Sequence, residues 1–180
     1  MSRAVLIVWV SAVTFSLGAC EQSATDAASK NSLSAAPLTA ATLGEQTVFS
    51  ARDYLAERVY ASADTSRGEA LSARCRACHS LEEGGATIVG PNLFGVFGRP
   101  AGSALDYPFS DVLSASGFVW TPRALDAWLA EPFAFLPGNR MSFPGLSEQK
   151  DRNGLIAYLL QYTDSGIEAG AADSVTESRD

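Results

Sequence analysis

The sequence of 180 residues predicts an all-α domain with about three to five helices. Two segments carry apolar residues at helical spacing: residues 121–132, through Leu125 and Trp128, and residues 147–162. The stretch from 84 to 118 is rich in Gly, Pro, Asn and Asp and shows no strand-like alternation. We therefore expect a few helices and a long loop that wraps around something which completes the core.

Residues 1–19 have the three parts of a secretory signal: a charged start, an apolar middle and small residues before the cut. Residues 17–20 resemble a bacterial lipobox, so we predict that Cys20 carries a lipid and becomes the mature N-terminus. Ordinary cleavage, with Cys20 an incidental thiol, is one alternative. An uncleaved anchor is the other, although the 16 uncharged residues 4–19 span only about 24 Å as a helix, less than a ~30 Å hydrocarbon core.

Residues 20–63 are predicted to hold the anchor and a flexible linker. From Glu21 to about Leu43 the chain is rich in Ala, Ser and Thr and has few large apolar side chains. Residues 45–62 mix aromatic and charged side chains, and we expect a short amphipathic helix that packs on the following domain. A contact with a partner or a membrane surface is the alternative. The tail, residues 164–180, is predicted to be disordered.

Three helices are predicted in the remaining domain, residues 64–163. The first spans about Thr65 to Arg74, with Leu71 as its main buried anchor. The second begins at Thr121-Pro122, an N-cap followed by proline in the first turn, and stops before Pro132. The third runs from about residue 147 to residue 162.

Two thiols three positions apart are followed at once by an imidazole in the stretch Cys75-Arg76-Ala77-Cys78-His79. This spacing is the attachment signature of a c-type haem, because two thioethers and one ring nitrogen reach the porphyrin from the same side. A zinc half-site and a thiol redox pair are the alternatives. Zinc requires four N or S ligands, and a redox pair requires a strand–helix context that the sequence lacks. We predict one covalent haem c.

A chain cut before Cys20 keeps one His and one Met, so the two axial ligands are nearly forced. His79 is then the proximal ligand and Met141 the distal one. A lone methionine is more often core filler than a ligand. Met141, however, lies between the turn signals Pro137-Gly138 and Pro144-Gly145, in a loop. This position favours the ligand.

Residues 64–163 resemble a class I cytochrome c of the mitochondrial and bacterial periplasmic type. The matching landmarks, in chain order, are Gly68-Glu69, the haem motif, Gly84-Gly85, Gly90-Pro91-Asn92-Leu93, residues 95–99, Ala101-Gly102-Ser103, Ser116-Gly117, Trp120, Pro137-Gly138, Met141 and residues 155–159. The resemblance covers about 100 residues. It implies a class I fold around one haem, and a close crossing of the first and last helices at Gly68 and the region of Tyr158.

The resemblance also implies roles for single residues. The Pro91 carbonyl accepts the other ring N–H of His79, which fixes the tautomer of the ligand. Arg99 and the Trp120 indole resemble the donors to a haem propionate, and Tyr107 adds a hydroxyl. Asn139 is also assigned to the cofactor site.

Four positions depart from the mitochondrial pattern. Phe109 replaces a common tyrosine, Leu113 a common asparagine, Leu71 an aromatic residue, and Trp128 a tyrosine near Met141. We expect these departures to affect the reduction potential, because hydrogen bonds around the haem tune that potential.

The resemblance implies an electron carrier and not an enzyme. It would shuttle electrons between membrane-bound respiratory or photosynthetic complexes, from a quinol-oxidising cytochrome complex to an oxidase or reaction centre, as a periplasmic monomer that binds no nucleic acid. The family usually docks through a ring of lysines, whereas this chain has only Lys30 and Lys150. We therefore expect weaker electrostatic steering, for which a lipid tether would compensate. The alternative is a peroxidase-like haem enzyme or ligand sensor with a labile Met141.

Overall fold

The computed structural model describes residues 38–163; the predicted signal, Cys20 and the tail lie outside this range. The described residues form one 3-10 helix, Ala40–Thr42, and seven α-helices: α1 (Ala51–Ala56), α2 (Arg58–Ala61), α3 (Thr65–Arg76), α4 (Asp111–Ser114), α5 (Pro122–Ala130), α6 (Pro132–Phe135) and α7 (Gln149–Tyr162). The all-α class is confirmed. The count exceeds five because four of the helices have only four to six residues. No described helix is long and apolar enough to span a membrane.

Side-chain caps begin α3 and α5, and the cap at Thr121 is the one that the sequence predicted. The Asp64 side chain accepts a hydrogen bond from the Arg67 amide at the start of α3. The Thr121 side chain accepts one from the Ala124 amide at the start of α5, with proline in the first turn. Helix α3 runs two residues further than expected, to Arg76, so Cys75 lies in its last turn.

Helices α3 and α7 cross at two glycines. A Cβ on Gly68 would lie 2.0 Å from the Gly154 carbonyl oxygen, and a Cβ on Gly154 would lie 2.6 Å from the Asp64 carbonyl oxygen. The helices therefore touch backbone to backbone. Gly68 takes its predicted place, but its partner is Gly154; Tyr158, one turn further, instead accepts a hydrogen bond from Arg76 at 3.0 Å.

Residues 38–63 pack against the helices that follow. Leu43 is 3% exposed, and Tyr54 and Tyr60 are buried in the same core. The Gln46 side chain donates to the Val119 carbonyl at 2.7 Å and accepts from its amide at 2.8 Å. The packed part of the chain therefore includes the end of the predicted linker and begins well before residue 64.

The predicted helix over 45–62 is two short helices, α1 and α2. The break falls at Glu57, whose backbone is extended with ψ of 137°. The expectation that this segment packs on the domain agrees with the buried Tyr54 and Tyr60.

The predicted loop from 84 to 118 contains one helical turn, α4, and is otherwise without helix. Its backbone is joined to the segment before α5 by an isolated bridge between Pro100 and Val119. This arrangement leaves a cavity between the loop, the end of α3 and the chain around α5.

Candidate haem site

A cavity of about 230 Å³ lies between the end of α3, the loop from 84 to 118, α5 and the chain around Met141. Its walls include every residue that the sequence assigned to the cofactor within the described range: Cys75, Cys78, His79, Pro91, Arg99, Tyr107, Trp120, Asn139 and Met141. These residues come from stretches that are up to 66 positions apart in the chain (141 − 75 = 66). The fold brings them to one place.

The end of α3 positions the two thiols and the imidazole. The Cys75 carbonyl accepts from the amides of both Cys78 and His79, at 3.0 and 2.8 Å, so the chain makes one tight turn directly after the helix. Both cysteines are free thiols that line the cavity. Burial raises the pKa of the Cys75 thiol to about 11, against the opposing effect of Arg76. The free thiol is therefore neutral at pH 7.

The His79 ring is fixed from two sides. Its Nδ1 lies 2.7 Å from the Pro91 carbonyl oxygen. A carbonyl only accepts, so Nδ1 carries the proton and Nε2 keeps its lone pair. Burial lowers the pKa of His79, which also favours the neutral ring. A Cβ on Gly90 would lie 2.3 Å from the ring carbon Cε1, so only glycine lets the loop approach this closely.

The Met141 loop is held by Asn139. The Asn139 side chain is 6% exposed and accepts from the Met141 amide at 3.0 Å. Its Nδ2 donates to the carbonyls of Pro132 and Leu136 at 2.9 and 2.8 Å. Asn139 lines the cavity, but its amide group bonds to this loop and to α6. Its role in the structure is to shape the turn that presents Met141.

The resemblance placed Trp128 near Met141, but the sequence did not assign Trp128 to the site. Its indole Nε1 donates to the Met141 sulfur at 3.3 Å. The signal was available, because a buried indole N–H needs an acceptor and Trp128 is on the apolar side of α5. What the sequence did not reveal is which acceptor lies opposite.

Proteins similar to this chain are known. Cytochrome c of Theileria parva is 42% identical over 97 residues, which are 53% of this chain and 84% of that protein. Cytochrome c2 of Agrobacterium tumefaciens is 42% identical over 100 residues, which are 54% of this chain and 90% of that protein. The chain belongs to the cytochrome c family.

The solved structures agree with this assignment. Cytochrome cH from Methylobacterium extorquens is 44% identical and superimposes with a TM-score of 0.51, over 55% of this chain and 99% of that one. No protein-family model matches the chain. Cytochromes c carry one covalently attached haem c and transfer electrons, so this cytochrome c is an electron-transfer protein and not an enzyme.

Side chains with polar groups also line the cavity. Arg99 is half-buried and donates to the Asn92 carbonyl at 2.9 Å. Burial lowers the pKa of Arg99, and within residues 38–163 its guanidinium forms no ion pair with a carboxylate. Trp120 and Tyr107 line the same cavity. A half-buried cation without a carboxylate partner suits an anionic group such as a haem propionate.

The residues present therefore fit a haem in this cytochrome c. Two thiols, a neutral imidazole with a free Nε2, a thioether and the Arg99 guanidinium all line the cavity. Imidazole and thioether are ligands that iron accepts in cytochromes c. The cavity has the donor set that this cofactor requires.

Proposed function

We propose that this cytochrome c is a single-haem electron carrier, with thioethers at Cys75 and Cys78 and axial ligands His79 and Met141. The observation that carries the proposal is that His79 and Met141, 62 residues apart in the chain, both line the cavity that the two thiols border. A bound haem supplies a one-electron Fe(III)/Fe(II) couple. With both axial positions taken by side chains, the protein leaves no position for a substrate.

Contacts within the protein fix the positions of both proposed ligands, which supports the function of an electron carrier. His79 is fixed by Pro91 and Gly90, and Met141 is fixed by Asn139 and Trp128, without any contact that depends on the cofactor. Ligands that are already in place move little when the iron changes oxidation state. Small reorganisation favours fast electron transfer.

We further propose that the carrier works in the bacterial periplasm, tethered to a membrane through a lipid on Cys20, and exchanges electrons with membrane-bound respiratory or photosynthetic complexes. The support is the lipobox-like sequence and the presence of only two lysines, Lys30 and Lys150, where the family usually carries a ring of lysines for electrostatic steering. A tether keeps the effective concentration near such complexes high. In this proposal Arg99, Trp120 and Tyr107 contact the propionates.

The replacement Met141→Ala tests the proposed distal ligand. The wild-type oxidised protein should show the charge-transfer band of a methionine–ferric iron bond, and the variant should lose it, have a lower potential and gain peroxidase activity. Ser147→Ala, an exposed position on the same loop that does not line the cavity, is the matched control and should change none of these properties. A wild-type spectrum that is high-spin, with fast binding of CO, would instead favour a haem enzyme or sensor.

Cys20→Ala tests the tether. Mass spectrometry of the membrane-extracted protein should show a diacylglycerol on residue 20 of the wild type. The variant should lack it and appear in the soluble periplasmic fraction with its haem intact. An unmodified Cys20 in the membrane-bound wild type would exclude lipidation and leave the haem proposal untouched.

A further inference from the structure

A stretch of the chain before α1, residues 43–49, lies against the segment that leads into α5; we call this stretch the strap. Its central contact is Gln46, whose Nε2 donates to the Val119 carbonyl at 2.7 Å and whose Oε1 accepts from the Val119 amide at 2.8 Å. Leu43 is buried, and its carbonyl accepts from Arg123 at 3.2 Å. Polar contacts at two positions therefore fix the strap to the start of α5 and the residues before it.

The backbone that Gln46 binds belongs to a ladder of two short antiparallel segments, residues 98–101 and 118–120. The Trp120 amide donates to the Arg99 carbonyl at 3.0 Å across this ladder. In an antiparallel pair, successive residues turn their backbone groups alternately toward the partner segment and away from it. Val119 follows this alternation and presents its N–H and C=O to the outer edge, where the Gln46 amide binds both.

The strap covers the ladder as a third segment would. The side-chain amide of Gln46 satisfies one backbone donor and one backbone acceptor that the ladder leaves free. Val48 meets the other segment, because its Cγ1 lies 3.2 Å from the position that a Cβ on Gly98 would take. The strap therefore contacts both segments of the ladder.

The ladder carries two of the residues assigned to the cofactor. Arg99 and Trp120 both line the cavity. The guanidinium end of Arg99 donates to the Asn92 carbonyl at 2.9 Å, and its backbone end is held by the ladder. No residue of the strap lines the cavity that the described part of the chain encloses. The ladder is therefore the direct route from the strap to the cavity.

We propose that Gln46 is a positioning residue for the propionate site: by binding both polar groups of Val119 it holds the ladder, and with it Arg99 and Trp120, in place against a haem propionate. The inference rests on the proposed function, in which Arg99 and Trp120 contact the propionates. It adds a segment outside the cavity to the parts of the chain that set the reduction potential.

The direction of the effect follows from charge. An ionised propionate favours oxidised iron, because oxidised iron carries one more positive charge than reduced iron. A guanidinium fixed beside that carboxylate offsets the effect and raises the potential. A ladder that Gln46 no longer holds should let Arg99 move, so the potential should fall.

Gln46→Leu in the haem-loaded protein tests the inference, because leucine is close to glutamine in size and lacks both hydrogen-bonding groups. We expect the ratio of reduced to oxidised protein at a fixed solution potential to fall about twofold, which is about 18 mV for a one-electron couple. Gln46→Asn keeps the amide but is one methylene shorter, so its ratio should change in the same direction. Thr47→Ala, an exposed neighbour on the strap, is the matched control and should leave the ratio unchanged.

A second background separates positioning from a purely structural role. Arg99→Gln removes the charge on which the proposed effect depends. In that background Gln46→Leu should change the ratio clearly less than it does in the wild type. A purely structural role would lower the urea midpoint of Gln46→Leu and leave its potential unchanged.

Amide hydrogen exchange gives a readout that does not depend on the potential. The Trp120 amide, which bonds to Arg99 and not to Gln46, should exchange about fivefold faster in Gln46→Leu than in the wild type, the change expected for about one lost hydrogen bond. Thr47→Ala should keep the wild-type rate. An unchanged rate in Gln46→Leu would mean that the strap does not hold the ladder.

The outcomes distinguish this inference from the proposed function. If Arg99→Gln leaves the potential unchanged, the proposed propionate contact is wrong and the inference fails with it. If Arg99→Gln lowers the potential but Gln46→Leu does not, or if Gln46→Leu lowers it equally in both backgrounds, the inference about Gln46 is wrong and the proposed function stands.

Discussion

The contact between Gly90 and the His79 ring makes Gly90→Ala the most informative single change. A Cβ at position 90 would lie 2.3, 2.7 and 2.9 Å from the ring atoms Cε1, Nδ1 and Nε2. An ordinary carbon contact is about 3.5 Å, so the ring or the loop must move by about 1 Å. That movement stretches the bond from Nδ1 to Pro91, now 2.7 Å, beyond hydrogen-bonding distance.

The magnitude follows from these two effects. Overpacking costs about 1–3 kcal/mol and the lost hydrogen bond about 1 kcal/mol. Alanine also reduces the conformational freedom of the unfolded chain, which stabilises the folded state by about 0.4–1 kcal/mol. This gain applies because the backbone at Gly90 is not in the left-handed region, so alanine can adopt its conformation. We expect a net loss of about 2 kcal/mol in the free energy of unfolding.

Urea unfolding of the haem-loaded protein, followed by circular dichroism, measures this loss. Ile88→Ala in the same loop is the control, because the Ile88 side chain is 59% exposed and its truncation adds no atom beside the His79 ring. Its loss should be clearly smaller. Equal stability of Gly90→Ala and wild type, with an unchanged haem spectrum, would refute the close packing of loop and ring.

Gly68→Ala should cost about 2 kcal/mol or more in urea unfolding, since a backbone oxygen 2.0 Å from the new Cβ outweighs the ~1 kcal/mol gain in helix propensity. Leu43→Ala should cost about 2–5 kcal/mol if the segment before α1 belongs to the fold, whereas exposed Glu45→Ala should change stability by less than about 0.5 kcal/mol. The Arg67 guanidinium, 2.9 Å from Asp151, lowers the pKa of that carboxyl. The ionised Asp151 therefore stabilises the folded state at pH values above the usual carboxyl pKa of about 3.9. This contribution to the free energy of unfolding is lost as the pH falls through the lower pKa of the folded state. Asp151→Asn should flatten that acid loss in urea titrations between about pH 4 and pH 2.

The sequence predicted the features that depend on short spacing. The haem motif needs only five consecutive residues, and the N-cap and proline at Thr121-Pro122 act within one turn, so both can be read from the chain. The all-α class and the family follow from such local signals and from landmarks in order. Even the end of α3 was placed within two residues of Arg76.

Prediction failed where one residue had to find a distant partner. Leu43 stands alone among small polar residues, and nothing nearby shows that it enters the core. Nothing in the local sequence distinguishes Gly154 from any other glycine in a helix. In the structure, however, it contacts Gly68, which lies 86 positions earlier (154 − 68 = 86). Asn139 was assigned to the cofactor and lines the cavity, but the sequence did not predict that its buried amide bonds to backbone of the Met141 loop and α6.

The sequence by itself determined the chemistry of this cytochrome c: two thiols, an imidazole and a single loop methionine in an acidic chain. Only the tertiary structure decided how those groups are held. The bonds from His79 to Pro91 and from Trp128 to Met141 join separate elements, as does the contact of Gly68 with Gly154. Side-chain chemistry is a property of single residues. The acceptor that a buried donor finds depends instead on which elements pack together in the folded protein.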